Sequence, residues 1–249
     1  MCFFDTHMHL TKARSQDALC LMLKLNKICA LSVAVDFKDS LLNLQNSGKN
    51  IFAGAGLHPC YATGSLSDKE KDDWNNLLNN NKILCIGECG LDDKAAISLE
   101  EQLYNLRFFC DMATAYSLPL SLHIRKYHNE LLKLLNEYHG KLSGIIHGFT
   151  FSKDLAKRYL DAGFILGIGR YGLRRGRSFN EALIYAGAAN LVLESDFDDR
   201  LSYDCKLFDS LIKELCILFS LDEKIFKNKM LFNTCAVLNL NGENIASAF

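Results

Sequence analysis

The feature that most constrains the fold of this chain is a regular alternation of short apolar runs with segments of helical periodicity. The segments between the runs mostly space apolar residues as on one helix face, as Leu103, Leu106 and Cys110 do. The apolar runs, each long enough for one buried strand, cover 3–7, 30–35, 51–57, 83–87, 118–123, 143–147, 164–168 and 191–195. Eight strands alternating with helices predict an α/β fold, a (β/α)8 TIM barrel, with an open doubly wound sheet as the alternative.

Helix boundaries carry their own signals. Helices over 203–219 and 222–239 would complete the outer ring of the barrel. A serine followed three residues later by a glutamate predicts a capping box, in which each side chain caps a backbone N–H group. This pattern occurs at Ser67 and Glu70, at Ser98 and Glu101, and at Ser220 and Glu223.

Composition narrows the class of protein. The 249 residues contain no linker-like segment, which predicts a single domain over 1–249, and the net charge of −1 gives no overall attraction to nucleic acid or membranes. No run reaches the roughly 18 apolar residues of a membrane span, and Asp5 lies where a secretory signal would be apolar. Ten cysteines without a Cys-x-x-Cys pair predict reduced, buried thiols and a cytoplasmic location.

Polar side chains occur where the predicted strands end. In a parallel barrel all strand carboxyl ends open onto one face, so side chains there converge. The residues concerned are His7, His9, His58, Glu88, His123, His147 and Asp196. The two remaining histidines, His128 and His139, fall in or just after the helix that follows the fifth strand, and we expect them on the surface.

The first strand concentrates three of the polar groups. Because side chains alternate between the faces of a strand, we expect Asp5, His7 and His9 on one face and Phe4 and Met8 on the other. Ionisable groups gathered on one face cost desolvation free energy unless something binds them. A metal ion would do so.

The donor set indicates two divalent metal ions. Four imidazoles and two carboxylates exceed the needs of one tetrahedral ion, and a central carboxylate, Glu88, could bridge a pair. The identity of the ions stays open among Zn, Mn, Mg, Fe and Co, although nitrogen-rich sets favour the transition metals. Cys85 and Cys89 are weaker candidates, since Cys85 has the opposite parity to Glu88 and Cys89 lies past the predicted strand end.

The motifs DTHMH, GLHP, GECGLD, LHIR, HGFT and ESD, in this order, resemble those of the TatD family of metal-dependent deoxyribonucleases, in the amidohydrolase superfamily. The FNT at 232–234 is similar to the family's closing motif. By this resemblance one metal is held by His7, His9, Glu88 and Asp196, and the second by Glu88, His123 and His147. His58 would lie near the substrate phosphate. Family members usually cleave DNA, often as 3′–5′ exonucleases, so the resemblance implies DNA as the substrate.

Several positions depart from the family pattern. No proline follows Asp196, and the family's basic segment is not recognisable in LSYDCKLFD. Asp93 and Lys94 stand where the family tends to have an aromatic residue, and Phe151 stands where a glycine is usual. The metal-binding motifs are therefore complete, whereas the loops expected to face the substrate differ.

We expect a divalent-metal-dependent hydrolase that acts on phosphodiester bonds with a hydroxide activated by two metals. Asp196 would handle the proton of the nucleophile or leaving group, with Glu88 and His58 as the other catalytic side chains. Asp5 and Asp92 are expected to orient the imidazoles, and Arg125 has either that role or substrate binding. The alternatives are an amide, ester or lactone hydrolase on a small substrate, and a non-catalytic metal-binding scaffold. No obligate protein partner is evident.

One further segment, GRYGLRRGRS, follows the seventh predicted strand. Its arginines could clamp phosphate groups while Tyr171 stacks on a base. Alternatively, the loop is solvated and its cations pair with acids such as Asp198 and Asp199. The arginines are Arg170, Arg174, Arg175 and Arg177.

Overall fold

The computed structural model describes residues 3–170, 172, 176–198 and 203–240. Within these ranges eight parallel strands form one sheet in chain order, which curls into a barrel. The strands are β1 (Phe3–Met8), β2 (Ile28–Ser32), β3 (Ile51–Ala55), β4 (Ile83–Asp92), β5 (Leu120–Arg125), β6 (Gly144–Ile146), β7 (Phe164–Ile168) and β8 (Leu191–Leu193). The predicted TIM barrel is confirmed.

Helices alternate with the strands and two follow the last strand. In the described ranges they are α1 (Gln16–Leu25), α2 (Phe37–Asn46), α3 (Asp68–Leu78), α4 (Leu99–Tyr116), α5 (His128–Asn136), α6 (Lys153–Asp161), α7 (Arg177–Ala186), α8 (Cys205–Phe219) and α9 (Glu223–Val237). Short 3₁₀ helices lie at Leu10–Lys12, Pro59–Tyr61 and Ala188–Asn190. The helices predicted over 203–219 and 222–239 are therefore present, each slightly shorter.

Two of the three predicted capping boxes form. Ser67 and Ser98 cap α3 and α4, each with its glutamate three residues on. The box predicted at Ser220 and Glu223 is wrong. Ser220 has a left-handed backbone with φ of 52° and ends α8, so α9 is instead capped by Asp222.

The first strand does not keep a strict alternation. The register of β1 against β2 shifts between Asp5 and Met8. As a result Phe4 packs in a cluster with Leu31 and Val192, whereas Met8 packs in another, against α1. The prediction that Phe4 and Met8 share a face is therefore wrong, because an irregularity re-aims the side chains after it.

The barrel closes between β8 and β1 through a seam of individual contacts. The backbone N–H of His9 donates to the carbonyl of Phe197, and that of Asp196 donates to the carbonyl of His7, both at 2.9 Å. The Thr6 hydroxyl donates to the carbonyl of Leu193 at 3.0 Å. The segments that carry the predicted donor residues thus also close the barrel.

Apolar packing fills the space between the sheet and the helices. The largest cluster includes Trp74, Phe109 and Phe149, and Asn233 ties α9 to β8 by donating to the carbonyls of Ala188 and Leu191. None of the described helices is both long and apolar enough to cross a membrane.

The described cysteines are all free thiols, as predicted. Their predicted burial holds only in part. Cys29, Cys85, Cys89 and Cys110 are buried, but Cys60 is exposed because it lies in the rim segment after β3.

Candidate metal centre

The site is centred on the carboxylate of Glu88, inside β4. His7 Nε2 lies 3.6 Å and His9 Nε2 lies 3.5 Å from Glu88 Oε2. On the other side, His123 Nδ1 lies 2.9 Å and His147 Nε2 lies 3.9 Å from Glu88 Oε1. One carboxylate therefore faces a pair of imidazoles with each of its oxygens.

The second carboxylate, Asp196, comes from the segment after β8. Its Oδ1 lies 3.9 Å from His9 Nε2 and 3.7 Å from His147 Nε2. The residue has a left-handed backbone with φ of 49°, and its N–H donates to the carbonyl of His7. This combination turns the side chain toward the imidazoles that also face Glu88.

In three imidazoles the second ring nitrogen contacts an oxygen that fixes the ring. With one nitrogen so engaged, the other is directed toward Glu88 or Asp196, where it could bind a cation that displaces any proton it carries. The pairs, each 3.0 Å apart, are His7 Nδ1 with Ser121 Oγ, His123 Nε2 with Asp92 Oδ2, and His147 Nδ1 with Glu194 Oε1.

Glu194 is a fully buried carboxylate beneath His147. Its Oε1 also accepts the N–H of Gly148 at 2.6 Å. Space for it comes from Gly167 in β7, because a Cβ there would lie 2.2 Å from Glu194 Oε2. A side chain at position 167 of β7 would therefore collide with the Glu194 carboxylate, and glycine leaves the space that the carboxylate occupies.

Asp92 and Ser121 are positioned in a comparable way. Buried Gln102, on α4, accepts the N–H of Asp92 at 2.8 Å and donates to its carbonyl at 3.1 Å. Ser121 lies against Gly87, where a Cβ would come within 2.7 Å of the serine Cβ. Hydrogen bonds to Gln102 thus fix Asp92, and close packing against Gly87 fixes Ser121.

His58 differs from the other four histidines. Its Nδ1 accepts the backbone N–H of Cys60 at 3.1 Å, so the neutral ring carries its proton on Nε2. That Nε2 lies 3.8 Å from Glu88 Oε1. His58 therefore presents a hydrogen-bond donor to the site rather than a lone pair.

The histidines and carboxylates of the cluster shift one another's pKa values toward the charged forms. Burial opposes ionisation of Glu88, but His58, His7 and His123 outweigh it and hold its pKa well below the usual range. Burial likewise opposes protonation of His147, yet Glu194 and the other carboxylates raise its pKa to about 10. Glu88 is therefore ionised near neutral pH, the form that binds cations, and a bound cation would displace the proton of His147.

The residues present fit divalent cations. His7 Nε2 is buried without a hydrogen-bond partner among the described residues, a costly state that a cation would relieve. Potential ligand atoms lie within 4.8 Å of one another in several groups. The groups are His7, His9 and Glu88; His7, His147 and Asp196; Glu88, His123 and His147; and His58, Asp92 and His123.

Asp5 lies outside these groups. Its carboxylate accepts the N–H of Ser195 at 2.9 Å, that of His7 at 3.3 Å and the hydroxyl of Tyr203 at 2.9 Å. It was expected to orient an imidazole. In the structure it instead supports the backbone of the two segments that meet at the seam.

The predicted substrate-binding arginines fall in different places. Arg125 is half exposed at the end of β5, and its Nε donates to Asp93 Oδ1 at 2.7 Å. Arg170, after β7, has a buried Nε without a hydrogen-bond partner among the described residues. Arg174 and Arg175, together with Tyr171, lie outside the described residues.

Of the two histidines expected on the surface, only His139 is exposed. His128 is half-buried, with its Nδ1 2.7 Å from the Tyr159 hydroxyl and its ring 4.4 Å from that of Phe151. The prediction for His128 is wrong because this aromatic contact covers it. Phe151 packs there in place of the usual glycine.

Sequence reasoning missed Ser121, Gln102 and Glu194. Glu194 could have been found from its place in ESD and Ser121 from its parity with His123, since both share the strand face of a predicted donor. Gln102 carries no local signal, because its partner Asp92 lies on another element.

Comparison with known proteins agrees with this geometry. The family model described as TatD related DNase matches residues 4–239. An uncharacterized metal-dependent hydrolase of Haemophilus influenzae is 26% identical over 96% of this chain and all of its own length. The 3′-5′ ssDNA/RNA exonuclease TatD of Erwinia billingiae is 32% identical over 61% of this chain and 59% of its own. In fold, the chain is similar to YjjV of Escherichia coli, with a TM-score of 0.79 at 23% identity, covering 96% of this chain and 98% of that one. The chain belongs to the TatD DNase family.

Proposed function

We propose that this chain, a metal-dependent hydrolase, is a phosphodiesterase that shortens single-stranded nucleic acid, DNA above all, from its 3′ end. The observation that carries the proposal is the convergence of four imidazoles on two carboxylates, with potential ligand atoms of these side chains within 4.8 Å of one another in overlapping groups. The similarity to the 3′-5′ ssDNA/RNA exonuclease TatD of Erwinia billingiae supports the choice of substrate.

The donor atoms divide into two sets that share Glu88. When bound, two divalent ions would lower the pKa of a water molecule and polarise a phosphoryl oxygen. We assign one ion to His7, His9, Glu88 and Asp196, and the other to Glu88, His123 and His147.

Two side chains have roles in proton and charge handling. Asp196 is 31% exposed, whereas Glu88 is 5% exposed, so Asp196 is the carboxylate that an attacking water can reach and pass its proton to. His58 keeps its proton on Nε2 and donates it in a hydrogen bond to an oxygen of the scissile phosphate. We therefore propose Asp196 as the proton acceptor and His58 as a phosphate-binding donor.

The second candidate is hydrolysis of a small ester, amide or lactone. It is favoured by one observation at the end of β5, where Asp93 pairs with both Arg125 and Lys126 at 2.7 Å. That pairing removes part of the positive charge a polyanion would use. Arg170 favours the phosphodiester, because its buried Nε has no described partner and suits an anion.

The discriminating experiment is a substrate panel on chelated protein reloaded with one divalent ion at a time. We expect single-stranded oligodeoxynucleotides to be shortened from the 3′ end, with Asp196→Asn as the inactive control. Cleavage of lactones or aryl esters without any cleavage of DNA or RNA would establish the second candidate instead.

A further inference from the structure

An exposed tyrosine stands at the rim beside the proposed metal centre. Tyr61 ends the 3₁₀ helix after β3 and is 49% exposed. Its ring meets that of His58 edge-on, with centroids 6.0 Å apart at 89°. Lys12, from the segment after β1, places its Nζ 5.4 Å from the tyrosine ring centroid. An aromatic face and a cation thus adjoin each other on the face where the donors converge.

Position connects this pair to the chemistry. His58 lies between Tyr61 and the donors, with its Nε2 3.8 Å from Glu88 Oε1 and its ring 4.3 Å from that of His123. A phosphate bound on the far side of His58 is therefore separated from the tyrosine ring by about the width of the imidazole ring. That spacing is comparable with the separation of phosphate and base within one nucleotide.

The relative strength of two interactions determines what the ring can bind. At an exposed site a cation–π contact is weaker than the stacking of a nucleobase on an aromatic side chain. A base can therefore take the place of the Lys12 ammonium. The lysine has a flexible stem and three donors, so once displaced it can pair with a phosphate oxygen.

We propose that Tyr61 is the stacking site for the terminal nucleobase of the substrate and that Lys12 binds a phosphate of the same strand end. This proposal rests on the proposed function and names the part of the substrate that the protein recognises. Stacking requires an unpaired base, so the site selects single-stranded ends and tolerates any base.

Tyr104 supplies a matched control elsewhere on the molecule. It is 45% exposed on α4, and Lys71 Nζ lies 4.6 Å from its ring centroid and donates to its hydroxyl. Tyr104 thus matches Tyr61 in exposure and in having a lysine near its ring, but it lies on an outer helix. The two tyrosines differ in whether the proposed site is beside them.

The test compares two oligodeoxynucleotides that differ in the 3′-terminal base, one complete and one ending in an abasic residue. For the complete strand we expect Tyr61→Ala to raise KM about tenfold, Tyr61→Phe to restore it, and Tyr104→Ala to leave it unchanged. Removal of the terminal base should raise the KM of the wild type about tenfold and should raise the KM of Tyr61→Ala far less. Lys12→Met should reduce the slope of log affinity against log salt by about one.

Binding provides a readout apart from turnover. Fluorescence anisotropy of the labelled strand in the Asp196→Asn background should show the same tenfold weakening with Tyr61→Ala. If Tyr61→Ala and Tyr104→Ala change DNA cleavage and DNA binding to the same extent, this inference is overturned and the proposed function stands. A wild-type protein that degrades no nucleic acid would overturn the proposed function and this inference with it.

Discussion

At the scale of single residues, the sequence predicted which side chains come together but not how they are held. The predicted donors His7, His9, Glu88, His123, His147 and Asp196 all converge. Their orientation depends on side chains such as Ser121 and Glu194, whose identity matters only once two strands are adjacent. A pattern within one strand cannot show those contacts, so the ring orientations were not predictable. The assignment of ions to residues stays a prediction.

Asp196 is the residue at which charge can be removed with least change in shape. Asparagine tolerates the left-handed backbone found there, so Asp196→Asn should fold normally. We expect turnover to fall by about 10²-fold or more, because the proton acceptor is lost. Steady-state kinetics and thermal unfolding together check this. Near wild-type turnover in a folded variant would move the proton acceptor elsewhere, with His58 the next candidate.

The role of Glu194 can be tested through metal affinity. Glu194→Gln keeps the size of the side chain but removes the charge that faces His147 Nδ1. We expect divalent-ion affinity to fall about 10- to 100-fold, measured by titration calorimetry. Glu181→Gln, on the exposed face of α7, is the control and should bind as the wild type does. Equal affinities for both variants would contradict the orienting role.

At the scale of elements, strands and helices were predictable where local patterns are regular and were missed where the backbone is irregular. Most strands begin and end within two residues of the apolar runs, but β4 extends five residues past its predicted end to Asp92, so the expectation that Cys89 lies past the strand is wrong. The register shifts between Asp5 and Met8 and between Ile86 and Cys89 could not be predicted, because a two-residue period carries no sign of a bulge. Both irregularities lie next to donor residues.

Helix ends allow a direct comparison of a correct and an incorrect prediction. Ser98→Ala removes a real cap and should lower the free energy of unfolding by about 1 kcal/mol. Ser220→Gly should raise it by up to about 1 kcal/mol, since glycine adopts the left-handed backbone without strain. Urea unfolding followed by the fluorescence of Trp74, the one tryptophan in the sequence, measures both. A destabilising Ser220→Gly would contradict the helix boundary found here.

The Ser98 cap also has a predictable pH dependence. The Ser98 hydroxyl and backbone N–H hold the pKa of Glu101 below its usual value of 4.5. A depressed carboxyl pKa stabilises the folded protein above the unfolded-state pKa, and this stability is lost as the pH falls through the folded-state value. The destabilisation by Ser98→Ala should therefore shrink below about pH 4.5. A penalty that grows on acidification would contradict this reading of the cap.

At the scale of the whole molecule, the number and order of elements predicted the barrel, because eight strand and helix repeats fit few other architectures. A single domain over 1–249 and a cytoplasmic location stay predictions. So does the phosphate clamp, since Arg174 and Arg175 lie outside the described residues. The seam between β8 and β1 was not predictable, because it depends on single contacts rather than on a strand pattern.

Metal removal should affect the entire molecule. We expect about two divalent ions per chain by elemental analysis after reconstitution, the load that suits these donors. Each ion at a hundred times its dissociation constant would stabilise the fold by about 2.7 kcal/mol, so chelation should lower the unfolding temperature and abolish hydrolysis. Protein that retains no ions and melts at the same temperature with and without chelator would contradict the site.

Because the seam joins the first strand to the last, the proposed active site can form only after β8 and Asp196 have been synthesised. Thr6 and Leu193, which meet there, are 187 positions apart, and His7 and Asp196 meet in the same way. Contacts this distant in sequence form late, because the loop between them must close first. A polypeptide still being synthesised carries His7 and His9 long before Asp196 has been added. The proposed nuclease therefore has no complete donor set until nearly the whole barrel exists, and partly made chains would carry no active site near nucleic acid.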